Sequence, residues 1–163
     1  MEEGDQLIAV RETDGSQKIL IATHDGMAVC FDENDARVVG RTARGVKALT
    51  LGEGDEVIGM SVCRPGGLLM TVTETGYGRL SELTDYRVQS RGGKGLTNYH
   101  TEEFGNVAAI KVVDENDDVI LISSELPEVL GMSDRVLVVK DDAIVAELTG
   151  DEINAVEVMR YAL

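Results

Sequence analysis

The chain repeats itself at a constant offset of 50 residues, without a gap, and this repeat restricts the fold more than any other feature. Ile19-Leu20-Ile21-Ala22-Thr23 aligns with Leu69-Met70-Thr71-Val72-Thr73. The same offset pairs Gly26 with Gly76, Arg37 with Arg87, Val38 with Val88, Arg41 with Arg91, Arg44 with Lys94 and Gly45 with Gly95. Further on, Val57 meets Val107 and Val62 meets Val112, and Val119-Ile120-Leu121-Ile122-Ser123 opens a third copy. The runs at 18–23, 68–73 and 119–123 are β-branched or aliphatic and predict strands. His24-Asp25-Gly26 and Glu74-Thr75-Gly76 are turn signals, each followed by a second strand, near 27–31 and 77–80. Alternating strands are expected near 57–62 and 107–113. A 50-residue period of short strands predicts propeller-like blades: a mainly β fold, a partial β-pinwheel, with an α/β tail. Aromatic residues make up 4% of the chain and Trp is absent, so the core must be aliphatic.

The third unit departs from the pattern after Ser124. Leu126 stands where Gly26 and Gly76 demand a glycine, and Asp141 where Arg41 and Arg91 demand a cation. Ser124 is expected to cap a short helix bearing Leu126, Val129 and Leu130, with Gly131 ending it. Arg135–Val139 and Ala143–Leu148 predict a hairpin around Lys140-Asp141-Asp142. Thr149-Gly150-Asp151-Glu152 fits a capping box, with Ile153, Val156 and Met159 lining an amphipathic helix over 151–162. Two domains follow, 1–124 and 125–163.

Charge is uneven. The chain carries 30 acidic and 15 basic residues, a formal charge of −15. Yet no acid occurs from Ala36 to Gly52, where Arg37, Arg41, Arg44 and Lys47 fall. None occurs from Tyr86 to Thr101, where Arg87, Arg91 and Lys94 fall, with His100 nearby. Equivalent positions of neighbouring blades share an edge, so the repeat builds one basic rim on an acidic body. Such a rim suits the phosphates of double-stranded DNA, contacted without reading sequence. Arg91-Gly92-Gly93-Lys94-Gly95 offers backbone N–H groups to a phosphate. The same pattern fits a merely solvated surface, a reading favoured by the third unit, whose equivalent positions carry no cation. Binding is expected to be weak and strongly salt-dependent, because the body repels polyanions.

Val88-Gln89-Ser90-Arg91-Gly92-Gly93-Lys94-Gly95 resembles the box motif of the C-terminal domain of DNA gyrase A. Thr73-Glu74-Thr75-Gly76-Tyr77-Gly78 and Gly40-Arg41-Thr42-Ala43-Arg44-Gly45-Val46 resemble that family's blade motifs. The likeness runs from about Gly4 to Ser124. It implies a β-pinwheel whose rim wraps DNA, with Gln89, Arg91, Gly92, Gly93, Lys94 and Gly95 in the box. Arg41, Arg44 and Lys47 map to the rim of the preceding blade, and Arg87 joins the DNA contacts. Ser90 stands where the box often has a second basic residue, and only about two and a half blades are present. Residues 121–138, and on to Leu163, resemble the end of a sugar-type ABC transporter ATPase. There the piece packs as strand, helix, hairpin and helix. Together the two resemblances imply a chimera, engineered or recombined. Its rival reading is a structural protein without DNA function, a homo-oligomer through open strand edges.

Catalytic signatures are not found. Gly93-Lys94-Gly95 lacks the first Gly and the hydroxyl of a P-loop, and no nucleophile elbow occurs. His24 and His100 have no ligand set at metal spacing. The acidic runs 32–35 and 114–118 lack the glycine and distal Glu of a calcium loop. Tyr77, Tyr86, Tyr99 and Tyr161 read as packing or surface residues. A non-enzyme without cofactor is expected. No apolar run reaches a membrane span, Met1-Glu2-Glu3-Gly4-Asp5 does not read as a signal peptide, and Cys30 and Cys63 make no disulfide framework. A bacterial cytoplasmic setting is the simplest expectation.

Overall fold

In the computed structural model, which describes residues 5–40 and 43–163, each repeat unit forms a small antiparallel sheet. The first blade contains β1 (Lys18–Thr23), β2 (Met27–Asp32) and β3 (Val57–Cys63). The second contains β4 (Leu68–Thr73), β5 (Gly78–Glu82) and β7 (Val107–Val113), with β6 (Leu96–Thr97) and the one-turn helix α1 (Thr101–Phe104) lying between β5 and β7 in sequence. Sheet order is β3-β1-β2-β6 in the first blade and β5-β4-β7 in the second. The offset survives in fine detail. The β1–β3 register slips between Ala22 and Thr23, and the β4–β7 register between Val72 and Thr73. Gly26 and Gly76 close the two hairpins at φ +82° and +84°, where a side chain is strained.

The core lies between the blades. Leu20, Ala22, Ala28 and Cys30 of the first meet Leu69, Tyr86 and Val112 of the second. Ile19, Ile21, Val29 and Phe31 fill the other face of the first blade, closed by Leu49 from the loop after β2. Cys63 packs against the first cluster, and the interaction between the two thiols lowers Cys30 to about 7 and raises Cys63. Ser61 of β3 accepts a 3.1 Å hydrogen bond from the Val112 N–H of β7, tying the sheets together.

Two repeat-equivalent side chains also meet there. His24 Nε2 lies 3.0 Å from Glu74 Oε1, and the Asn106 amide lies against the same ring. The Val107 N–H donates to the His24 carbonyl, so His24 sits where the blades join. Its hydrogen bond with Glu74, helped by Asp25 and Glu56, raises the imidazole above its ordinary 6.5, against a smaller effect of burial. A raised folded-state pKa contributes stability that is whole below the unfolded value of 6.5. That contribution is lost as pH rises through the folded value. The urea midpoint is therefore expected to fall between mildly acidic and mildly alkaline pH, and His24→Gln to flatten that fall. An equal pH dependence in the variant would refute the assignment.

The segment 119–123, expected as a third β strand, pairs with no strand among the described residues. Ile120 and Ile122 are almost fully exposed. A strand needs a partner edge, and the chain beyond it turns into helix α2 (Leu126–Met132) rather than a hairpin. α2 has Glu125 as its N-cap residue, without a side-chain cap, while Ser123 Oγ accepts from the Glu125 N–H. Gly131 lies inside this helix and does not end it. Strands β8 (Arg135–Lys140) and β9 (Ala143–Thr149) pair around Asp141 and Asp142, both at positive φ. The capping box of Thr149 and Glu152 starts only a single 3₁₀ turn. A separate helix α3 (Ala155–Ala162) follows, capped by Asn154. This split turns Val158, not Val156, inward onto Val136, Val138 and Leu148. Among the described residues no helix is long and apolar enough to cross a membrane.

Candidate nucleic-acid interface

The loop 88–97 belongs in sequence to the second unit but lies on the first blade. Val88 bridges Cys30, the Gln89 N–H donates to the Cys30 carbonyl at 2.9 Å, and β6 pairs Thr97 with Met27 and Leu96 with Ala28. Gly95 sits at φ +85°, and a Cβ there would run into the Ala28 carbonyl. Beyond β6, the buried Asn98 donates its backbone N–H to the Gly26 carbonyl at 2.7 Å. Its side chain accepts a 2.6 Å hydrogen bond from Tyr86 Oη and donates to Thr71 Oγ1 at 3.2 Å. Asn98 thus pins the end of the loop to both blades.

This exchange brings the two acid-free stretches together. The Gly92 N–H donates to the Ala48 carbonyl at 2.7 Å. Thr50 donates its N–H to the Gly93 carbonyl at 2.8 Å and its hydroxyl to the Gly92 carbonyl at 2.7 Å. Arg91 Nη1 donates to the Lys47 carbonyl at 3.0 Å. Arg91 is half-buried, and its Nε and the Gln89 Nε2 are buried with no protein partner. Arg37, Arg44, Lys47, Arg87 and Lys94 are exposed. Among the described residues, no ion pair engages Arg37, Lys47, Arg87 or Lys94, whereas Arg64, Arg135 and Arg160 are paired with carboxylates. Arg41 lies outside the described residues.

The geometry differs from the sequence expectation in one respect. The Gly92 N–H is spent on Ala48, so it cannot also face a phosphate. Gly92 and Gly95 act here through positive φ, Gly95 also by its close approach to Ala28, and the exposed donors are side chains. Thr50 and Asn98 escaped the sequence reading, since their offset partners, His100 and Ala48, are of other types. The acidic run 114–118 is a turn whose Asp114 and Asp117 hold Arg64. No group of three His, Cys, Asp or Glu side chains among the described residues could hold a metal ion.

A family model described as DNA gyrase C-terminal domain, beta-propeller, matches residues 17–64 and 67–122. The DNA gyrase A protein of Staphylococcus aureus (strain MRSA252) is 44% identical over 125 residues. That alignment spans 75% of this chain and only 14% of the relative. Among solved structures, the C-terminal domain of DNA topoisomerase IV superposes with a TM-score of 0.65 at 25% identity, covering 71% of this chain and 36% of that one. The DNA gyrase A C-terminal domain superposes at 0.54 and 20% identity, over 64% and 34% of the two chains, a likeness of fold alone.

Proposed function

The chain belongs to the DNA gyrase C-terminal domain family, and from that membership we propose that it is a non-catalytic module that holds double-stranded DNA by its phosphates. The observation that carries this reading is the docking of the Arg91–Gly93 loop on residues 47–50, which joins two cation-bearing stretches into one surface. Arg41, Arg44, Lys47, Arg87, Arg91 and Lys94 supply charge. Gln89 supplies an amide, Gly95 allows the close approach to Ala28, Gly92 supplies a left-handed turn at φ +87°, and Gly93 gives its carbonyl to Thr50. Contacts to phosphate position a duplex without reading bases. A net charge of −15 makes the binding weak and salt-dependent. The bacterial cytoplasm, where such a duplex is met, is part of this proposal. It agrees with two free cysteines.

Fluorescence anisotropy of a labelled duplex, titrated at three salt concentrations, tests the proposal. Six engaged phosphates correspond to a log–log salt slope of about −5. Absence of binding at low salt would overturn it.

We further infer a boundary near residue 124, with 1–124 as blades and 125–163 as a separate tail. The tail has its own cluster of Val136, Val138, Leu148 and Val158, and the family match stops at residue 122. The likeness of that tail to an ABC transporter ATPase supports a chimeric origin. A genomic reading frame encoding the whole chain would refute an engineered one. A second reading, a structural protein that self-associates without a DNA function, is favoured by one observation: among the described residues β5 pairs only with β4, leaving its outer edge without a strand.

A further inference from the structure

The first blade shows how the outer edge of a blade is closed. Residues 88–97 lie along β2, through the Cys30–Val88 bridge and the Met27–Thr97 and Ala28–Leu96 pairs. Fifty residues beyond β2 lies β5, and among the described residues no strand lies on its outer edge. Gly78, Arg79, Leu80 and Glu82 are exposed there. Fifty residues before the closing segment lie Val38–Gly40 and Ala43–Lys47, which form no strand. Val38 is 102% exposed. Gly45 nevertheless holds φ +79°, next to the +85° of its counterpart Gly95, so the loop already has the left-handed turn that seats Gly95 against Ala28. One chain therefore carries an unfilled seat and an unseated filler, and the two do not pair with each other in this structure.

Helix α2 stands at the mouth of that seat. On the first blade, Gly26 lies against Tyr99 and Thr101, and Ala28 against Gly95. On the second, Gly76 lies against the backbone of Pro127 and Gly131, and Gly78 against the end of the Met132 side chain. A side chain at Gly131 would collide with the Gly76 backbone. α2 thus occupies the position that the end of a closing segment takes on the first blade.

We propose that the outer edge of β5 is the seat for residues 38–40 and 43–47 of a second copy of this chain, and that α2 is the cap that keeps it shut. The inference starts from the open edge noted above but differs from the self-association reading, since α2 holds the full chain monomeric. It shares Arg44 and Lys47 with the phosphate surface, and mass measured without DNA keeps its test apart from that reading. Charge agrees with it: Arg37 and Lys47 flank the loop in sequence, and Glu82 lies on β5 with Asp85 just after it, while Arg79 of the same strand is engaged with the Asn98 carbonyl. The register follows from the first blade, with Val46 opposite Gly78, Lys47 opposite Tyr77 and Val38 beside Leu80. Seat and filler are different surfaces, so the contact is head to tail and each copy added presents a fresh seat. A cap on the seat is what stops such growth.

Sedimentation equilibrium of the full chain, of Gly131→Leu and of the milder Met132→Ala tests this. The full chain is expected to stay at its monomer mass of 17.6 kDa. Both α2 variants are expected to rise with concentration to about twice that mass or more, and Gly45→Val added to either is expected to restore the monomer. Monomers at every concentration in both α2 variants would overturn the proposal. A rise in mass that Gly45→Val leaves unchanged would also overturn it, while leaving self-association through some other edge standing.

Discussion

Asn98→Ala is expected to remove about 3 kcal/mol of folding stability, more than any surface substitution in either blade. Asn98 is 1% exposed. Its carboxamide oxygen receives the Tyr86 hydroxyl at 2.6 Å and its NH₂ reaches Thr71 Oγ1 at 3.2 Å. Truncation leaves two buried hydroxyls without their partner, each costing on the order of 1–3 kcal/mol, and opens a small cavity besides. Tyr86→Phe removes one member of the pair cleanly and is expected to cost about 1 kcal/mol. The double variant should cost less than the sum, because the hydroxyl stranded by Asn98→Ala is then gone. Urea denaturation followed by far-ultraviolet circular dichroism measures all three. A loss below about 1 kcal/mol for Asn98→Ala would mean that the side-chain network does not hold the loop to the second blade. The backbone N–H that residue 98 gives to the Gly26 carbonyl survives this substitution, so loop 88–97 should loosen only through the lost side-chain hold on Tyr86 and Thr71.

Asn98 also marks the limit of what the residues disclose unaided. The repeat made β1, β4, β3 and β7 legible, along with the hairpin glycines Gly26 and Gly76, because alternation and positive φ are local properties. The exchange of 88–97 onto the neighbouring blade is not local. Nothing in Val88-Gln89 announces Cys30 as its partner. The 119–123 run fails for the same reason in reverse: its composition is that of β1, but strand formation requires an edge to pair with. Gly131 reads as a helix stop, yet it is glycine to let α2 approach Gly76 closely. The cations of the candidate site were legible from phase alone. Their mutual support through Thr50 and the Lys47 carbonyl was not.

Arg91 is where charge and architecture coincide, so Arg91→Glu is expected to weaken duplex binding more than any other single charge change. One lost phosphate contact corresponds to about tenfold in affinity near 0.1 M salt, and reversing the charge adds repulsion of similar size. In addition, the variant puts a carboxylate beside the Lys47 carbonyl that Arg91 Nη1 now engages at 3.0 Å, forcing the 91–93 loop off residues 47–50. Arg91→Lys separates the two effects. It keeps the charge but loses the planar fork that reaches the carbonyl, so a shortfall in the lysine variant measures the tether. Lys94→Gln removes an exposed charge without touching the tether and should lower affinity only by the phosphate share. Lys140→Glu is the control: Lys140 donates to the Leu163 carbonyl in the tail, away from both stretches. Equal losses for Arg91→Glu and Lys140→Glu would mean that the duplex senses only net charge. The loop junction would then be a feature of blade packing, and the phosphate-binding surface would have to be sought elsewhere on the chain.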